Sequence, residues 1–174
     1  MPIYDFPSEP IVIDAARAIG AASVPAYFIP GADSTLLITT WTGMLVRIAA
    51  DYNEITEEQI KSLVGSLATA IVTYKTGSTV LSIVAGVVLT TMSGGLALLL
   101  GTSTMVLANA VLNAYYTYEL GKAFDEYFSN HRRFDLTELL NFLMRIVIPN
   151  VSSIQSFWHN CGLSFSEIMH WLRR

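Results

Sequence analysis

One long stretch of this chain, from Thr76 to Tyr118, contains no Asp, Glu, Lys, Arg or His. It is forty-three residues long, in a chain of 174 residues. A helix in water normally carries charged side chains on its exposed face, whereas a segment that contacts lipid or lies inside protein does not. The run therefore predicts a segment that is shielded from bulk water.

The uncharged run predicts an apolar helical hairpin at 78–112, with a break at Ser93-Gly94-Gly95 between its two helices. Small side chains recur along both helices, and such ridges let two backbones approach closely. These helix-packing residues are Ser78, Ser82, Gly86 and Thr90 on the first helix, and Ala97, Gly101, Thr104 and Ala108 on the second. A tightly packed hairpin inside a soluble protein would show the same ridge.

The rest of the chain shows apolar residues at helical spacing. This periodicity predicts helices at 11–23, 37–52 and 57–75, a continuation of the uncharged run to Phe128, and a short helix at 136–144. Ser8 and Asp135 are expected N-caps, Pro25 is expected to end the first helix, and Thr56 to Gln59 has the pattern of a capping box. Asp125 and Glu126 are expected on a solvated face.

A tight turn is predicted between the first two helices. Pro30 fixes one dihedral angle, Gly31 permits an unusual one, and Asp33 or Ser34 can cap the helix that follows. The elements together predict an all-α fold, a helical bundle built around a central apolar helical hairpin. We expect a short leader at 1–9, a single helical domain at 10–149 and a C-terminal amphipathic segment at 150–174.

Several classes of function find no support in the sequence. The net charge of −4 and the pI near 5.2 argue against a nucleic-acid binder, which would carry a basic face. His131, His159 and His170 are too scattered for a metal site, and His159 and Cys161 would point in different directions on a helix. No phosphate-binding glycine motif occurs. We therefore predict a non-enzymatic protein without a cofactor.

The composition favours a membrane-associated protein. Apolar residues make up 52% of the chain and charged residues only 14%, whereas ordinary globular domains have about 25% charged residues. The basic residues that flank the hairpin would all lie on its cytosolic side, and three tyrosines cluster at the expected interface. The flanking residues are Lys61, Lys75, Lys122, Arg132 and Arg133, and the tyrosines are Tyr115, Tyr116 and Tyr118.

The two apolar stretches of 15 and 17 residues are short for a full span, which needs about 20. Our first hypothesis is still a protein anchored in a lipid bilayer on the cytoplasmic face of a bacterial inner membrane, with its polar helices docking a protein partner. One alternative is a soluble helical adaptor for a small GTPase or another partner. Another is an oligomeric pore or membrane-disrupting effector, so a homo-oligomer stays open.

Two segments of the chain resemble a bacterial helical domain family of unknown function that is often fused behind an Era-like small GTPase. The first runs from Phe28-Ile29-Pro30-Gly31-Ala32-Asp33 into Met44-Leu45-Val46-Arg47-Ile48-Ala49, and the second from Ala114 through Leu120-Gly121-Lys122 to Tyr127-Phe128. The resemblance covers roughly residues 15 to 145. It implies a membrane-associated module beside a GTPase and brings no catalytic residue. The chain departs from the family in lacking the GTPase domain and in carrying Ser93-Gly94-Gly95 where the family tends toward Pro-Gly.

Overall fold

The computed structural model describes residues 6–29, 31–50, 52, 55–77, 101–130, 134–149, 152–154 and 157. The described chain includes five long or medium α-helices and a short 3-10 helix at Arg145–Val147, and residues 152–154 are also helical. The α-helices are α1 (Glu9–Ala26), α2 (Ala32–Ala49), α3 (Glu57–Gly77), α4 (Gly101–Asn130) and α5 (Leu136–Met144). The described residues contain no strand. The prediction of an all-α helical bundle is confirmed.

Helix α4 is the central element of the bundle. It is 30 residues long, and most of its buried apolar residues join those of the other helices in one core, while Val106 and Ala110 form a second, small cluster with Val24 of α1. Tyr115 and Tyr116, which the sequence placed at a membrane interface, are only 4% and 0% exposed. That prediction is wrong for both, because they lie on the inner face of α4, where the Tyr116 hydroxyl donates to the Val147 carbonyl at 3.1 Å.

Glycine allows α1 and α4 to pack closely. A Cβ on Gly121 would lie 2.8 Å from Cγ1 of Val12 and 3.1 Å from its Cβ, so only glycine fits without a shift. About two helical turns away along the same two helices, a Cβ on Gly20 would lie 3.5 Å from the Cβ of Ala114. Neither glycine belongs to the predicted ridge.

Most of that ridge lies outside the described residues, namely Ser78, Ser82, Gly86, Thr90 and Ala97. Gly101 is the first residue of α4, and Ala108 is fully buried in the core. The two-helix seam across the hairpin therefore stays a prediction.

Two predicted helix starts are confirmed. Thr56 and Gln59 exchange hydrogen bonds as a capping box, at 2.9 and 3.3 Å, and Asp135 accepts from the backbone N–H of Glu138 at 2.8 Å. Pro25 does not end α1, which continues to Ala26. Pro25 has no backbone N–H, so only one hydrogen bond of the last turn is missing. The Tyr27 N–H still donates to the Ser23 carbonyl at 3.1 Å.

Ser8 occupies the N-cap position of α1, as predicted, but its side chain makes no capping hydrogen bond, and Asp125 is not on a solvated face. Asp125 is 1% exposed, and it accepts hydrogen bonds from the Ser8 hydroxyl at 3.0 Å and the Tyr52 hydroxyl at 2.6 Å. Both differences from the prediction have one cause: the Ser8 hydroxyl donates to Asp125 of α4 instead of capping a backbone N–H of α1. Glu126 is exposed, as expected.

The chain direction brings four helix termini to one end of the bundle. Ser23 near the end of α1, Asp33 near the start of α2, Lys75 near the end of α3 and Asn113 in α4 are joined by hydrogen bonds. We call this part of the bundle the uncharged end. The chain leaves the described residues at Gly77, two residues after Lys75, and returns at Gly101, on the first turns of α4, where Val106 packs with Val24 near the end of α1.

Candidate functional site: the uncharged end of the bundle

The uncharged end takes its name from the distribution of charge along the sequence. Asp33 is the only charged residue from Ala18 to Val46, and Lys75 is the only one from Ser62 to Tyr118. The structure brings these two residues together, with Lys75 Nζ 2.7 Å from Asp33 Oδ2. Their side chains are 5% and 23% exposed. The two long stretches therefore contribute no net charge to this end.

Asn113 completes the ion pair and ties a third helix to it. Its side-chain Oδ1 accepts from Lys75 Nζ at 2.7 Å, while its Nδ2 donates to Asp33 Oδ1 at 2.6 Å and to Ser23 Oγ at 2.8 Å. Asn109, one turn earlier on α4, donates to the same Asp33 oxygen at 3.1 Å. Each carboxylate oxygen of Asp33 thus has a donor, and all four long helices contribute to the cluster. We call it the four-helix polar cluster.

The cluster continues toward the core through hydroxyl groups. Ser23 Oγ donates to the Ile19 carbonyl at 2.7 Å, which leaves its oxygen free to accept from Asn113. Thr117 Oγ1 donates to the Asn113 carbonyl and accepts from Trp41 Nε1, both at 2.7 Å. The buried indole of Trp41 is therefore satisfied. These bonds fix the register of α1, α2 and α4 relative to one another.

Burial and pairing act in opposite directions on the charges of the pair. Burial alone would raise the pKa of Asp33, but the charge and hydrogen bond of Lys75, with the bonds from Asn109 and Asn113, outweigh it and lower this pKa. Burial lowers the pKa of Lys75, and the attraction of Asp33 only partly opposes that effect. The carboxylate therefore keeps its charge to lower pH than an ordinary Asp, while the ammonium gives up its proton at lower pH than an ordinary Lys.

The turn between α1 and α2 carries exposed apolar side chains. Tyr27, Phe28 and Ile29 are 36%, 67% and 60% exposed, and they are consecutive in the chain. Gly31 follows with a φ of 78°, so the left-handed backbone expected for this glycine is confirmed. Pro30, also singled out in the turn, lies outside the described residues.

Two predictions for this end are wrong. Asp33 does not cap α2, whose N-cap is Gly31, because its carboxylate turns inward to Lys75 and the two asparagines. Lys75 is not a cytosolic flanking charge, because its ammonium lies inside the bundle with Asp33. Lys61 and Lys122 are exposed, as a flanking role requires. The hydrogen-bond partners of Asn109 and Asn113 were not predicted from the sequence.

A charged cleft of about 320 Å³ lies farther along α4, between that helix and the 3-10 helix. Its walls include Tyr115, Glu119, Lys122 and Arg145, and Arg145 forms an exposed ion pair with Glu126 at 2.8 Å. Burial, followed by the nearby Glu119, raises the pKa of Tyr115 to about 12. Burial also raises the pKa of Glu119, against the opposing effect of Lys122 and Arg145. The cations and carboxylates of this cleft largely neutralise one another.

Among the described residues, no group of three or more His, Cys, Asp or Glu side chains could hold a metal ion. His131, His159, Cys161 and His170 lie outside that part of the chain. No helix within the described ranges has the length and apolar character needed to cross a membrane. Most of the predicted hairpin, 78–100, lies outside those ranges.

Comparison with protein-family models, with curated proteins and with solved structures gives no match for this chain. The resemblance to the helical domain family linked to Era-like GTPases therefore stays a prediction.

Proposed function

We propose that this chain is a membrane-associated helical protein that is anchored through the uncharged run and meets the bilayer with the uncharged end of its bundle. The observation that carries the proposal is the pairing of Asp33 with Lys75, since these are the only charges in two long stretches of sequence. A lone charge at this end would oppose contact with lipid. A hydrogen-bonded pair opposes it far less.

The position of the uncharged run supports the same proposal. The chain between Gly77 and Gly101 has no ionisable side chain and attaches where the pair is buried. A bilayer that received this segment would therefore contact a protein surface without net charge beside it. The lack of charge in the run is thus matched by the lack of net charge at the end of the bundle to which it is joined.

The opposite end of the bundle is the part suited to a protein partner. Three helices carry exposed charged side chains there. They are Arg47 near the end of α2, the Glu57–Lys61 ion pair at the start of α3, and Lys122 on α4. Polar rims of this kind favour specific but reversible docking. We propose that this surface faces the cytoplasm of a bacterial cell and binds a protein, with a small GTPase as the first candidate.

Flotation of the full chain with phosphatidylcholine vesicles tests the anchor. We expect the protein to float with the vesicles and to stay in cell membranes after a carbonate wash. Val88→Arg combined with Leu98→Arg puts two charges into the uncharged run and should release the protein. The matched control, Ser66→Arg, adds a charge at an exposed position of α3 and should float like wild type.

A second candidate function is a soluble adaptor that buries the uncharged end against a protein partner. It is favoured by the burial of Tyr115 and Tyr116, because side chains inside the bundle do not serve as residues of a membrane interface. Recovery of wild type as a monodisperse species in the high-speed supernatant without detergent, together with no flotation, would overturn the anchor and support the adaptor.

A further inference from the structure

We propose that the turn formed by Tyr27, Phe28 and Ile29 is a second membrane contact, which inserts into the headgroup region of the bilayer. This inference rests on the proposed function, and it names the described residues that touch lipid. We call these three residues the apolar turn. The apolar turn lies in the described fold and is separate in sequence from the uncharged run.

Exposure of large apolar side chains is concentrated at the apolar turn. Six large hydrophobic residues are exposed in the described part of the chain, and three of them are the consecutive residues of this turn. Phe28 and Ile29 each leave more than half of their surface in contact with solvent. The Tyr27 and Phe28 rings contact each other edge to face, with centroids 5.6 Å apart, so they form one continuous apolar surface. Tyrosine in particular suits the membrane interface, because it has an apolar ring and a polar tip.

The backbone of the turn is already hydrogen-bonded within the protein. The N–H groups of Tyr27, Ile29 and Ala32 donate to the carbonyls of Ser23, Ala26 and Ile29 at 3.0 to 3.1 Å. The Thr35 hydroxyl donates to the Gly31 carbonyl at 3.2 Å. Backbone groups without partners resist transfer out of water, and these groups have partners. The turn can therefore enter a region poor in water without losing hydrogen bonds at these positions.

A shallow groove of about 640 Å³ runs from the apolar turn along the first turns of α2. Its walls are mainly apolar and include Ala26, Ile29, Ala32 and Leu36. A groove of this shape, open along its side, fits a flexible hydrocarbon chain better than a compact polar ligand. It extends the apolar surface of the turn onto the side of the bundle.

Lipid is the occupant that the surroundings favour. The nearest charge in the sequence, Asp33, turns away to Lys75, so the turn presents no charge for a complementary protein or an anionic headgroup. The uncharged run attaches at the same end, and a bilayer that received it would lie beside the turn. Binding should therefore occur on zwitterionic lipid and depend little on salt, because no surface charge is involved.

An environment-sensitive dye at the turn tests the inference. Ile29→Cys in a Cys161→Ser background carries the dye in the turn, and Ile148→Cys in the same background is the matched control. Ile148 is also apolar and 71% exposed, but it lines the charged cleft. With phosphatidylcholine vesicles we expect a blue-shifted emission that is at least twofold brighter at position 29 and no change at position 148. Doxyl-labelled lipid should quench only the dye at position 29.

A second measurement keeps the test independent of labelling. Phe28→Glu with Ile29→Glu changes two exposed residues, so helicity should stay at the wild-type level while the fraction bound to vesicles falls severalfold. Wild type that floats while the dye at position 29 stays unchanged, or while the double variant binds equally well, would overturn the membrane contact of the turn and leave the anchor intact. Wild type that does not float would overturn both.

Discussion

The ammonium group of Lys75 on α3 lies 2.7 Å from the carboxylate of Asp33 on α2, and each of the two is the only charged residue in a long stretch of the sequence. The two residues are separated by 42 positions in the chain. Their pairing converts two isolated charges into one neutral, hydrogen-bonded unit. It also joins α2 and α3 to α4 through Asn113. The stability of this end and its proposed contact with lipid therefore depend on the same pair.

Breaking the pair from one side should destabilise the fold strongly. Lys75→Met leaves the buried Asp33 carboxylate without its cation, and loss of one partner of a buried pair costs about 3 to 5 kcal/mol. Asn109 and Asn113 still donate to Asp33, so we expect the lower part of that range. Urea unfolding at pH 7 measures the loss. The double variant Asp33→Leu with Lys75→Met should recover much of it, and a double variant that loses the sum of both single effects would contradict the pairing.

Acid should weaken the fold through Asp33. Its pKa in the folded protein lies below the usual 3.8, so the folded state binds fewer protons than the unfolded chain in that window. The contribution is fully present above about pH 4, near the unfolded value, and is lost as the pH falls through the folded pKa. The difference in unfolding free energy between wild type and Asp33→Asn should therefore shrink between pH 5 and pH 2.5. A difference that stays constant over this range would show that the Asp33 charge has no such role.

The charged cleft should show the opposite pH dependence through Glu119. Burial raises the pKa of Glu119 above 4.5, so the folded state binds the extra proton and stability is lost as the pH rises from 4.5 through the folded value. Glu119→Gln should thus gain stability relative to wild type between pH 4 and pH 7. Thermal unfolding at both values measures the gain. The control is Glu58→Gln at an exposed position of α3, and an equal gain there would rule out a specific effect of the cleft.

Local signals in the sequence were sufficient to predict the helices and several of their ends. The Thr56 to Gln59 capping box and the Asp135 cap depend on neighbours within one turn, and the structure confirms both. Apolar spacing likewise predicted the helix at 57–75, which the structure has at Glu57–Gly77. Contacts between distant elements were not accessible in this way. Asp125 follows the helical pattern of a solvated position, and only packing of Ser8 and Tyr52 against α4 places it in the interior.

The four-helix polar cluster could have been inferred in part from the sequence. Asp33 and Lys75 are single charges of opposite sign in long uncharged stretches, and a buried charge needs a partner. Which side of each helix they occupy depends on the bundle topology, which periodicity alone does not give. The donors and acceptors of Asn109 and Asn113 became evident only when the four helices were packed together.

The close packing of α1 against α4 should depend on Gly121, which has no side chain facing Val12. Gly121→Ala places a methyl group against the Val12 side chain, and such overpacking typically costs about 1 to 3 kcal/mol, which outweighs the gain of about 1 kcal/mol in helix propensity. The matched control is Gly65→Ala on α3, where a Cβ would meet nothing within 4 Å and stability should rise by about 0.5 to 1 kcal/mol. Urea unfolding compares the two. In a Val12→Ala background Gly121→Ala should lose most of its cost, and an equal cost in both backgrounds would place the clash elsewhere.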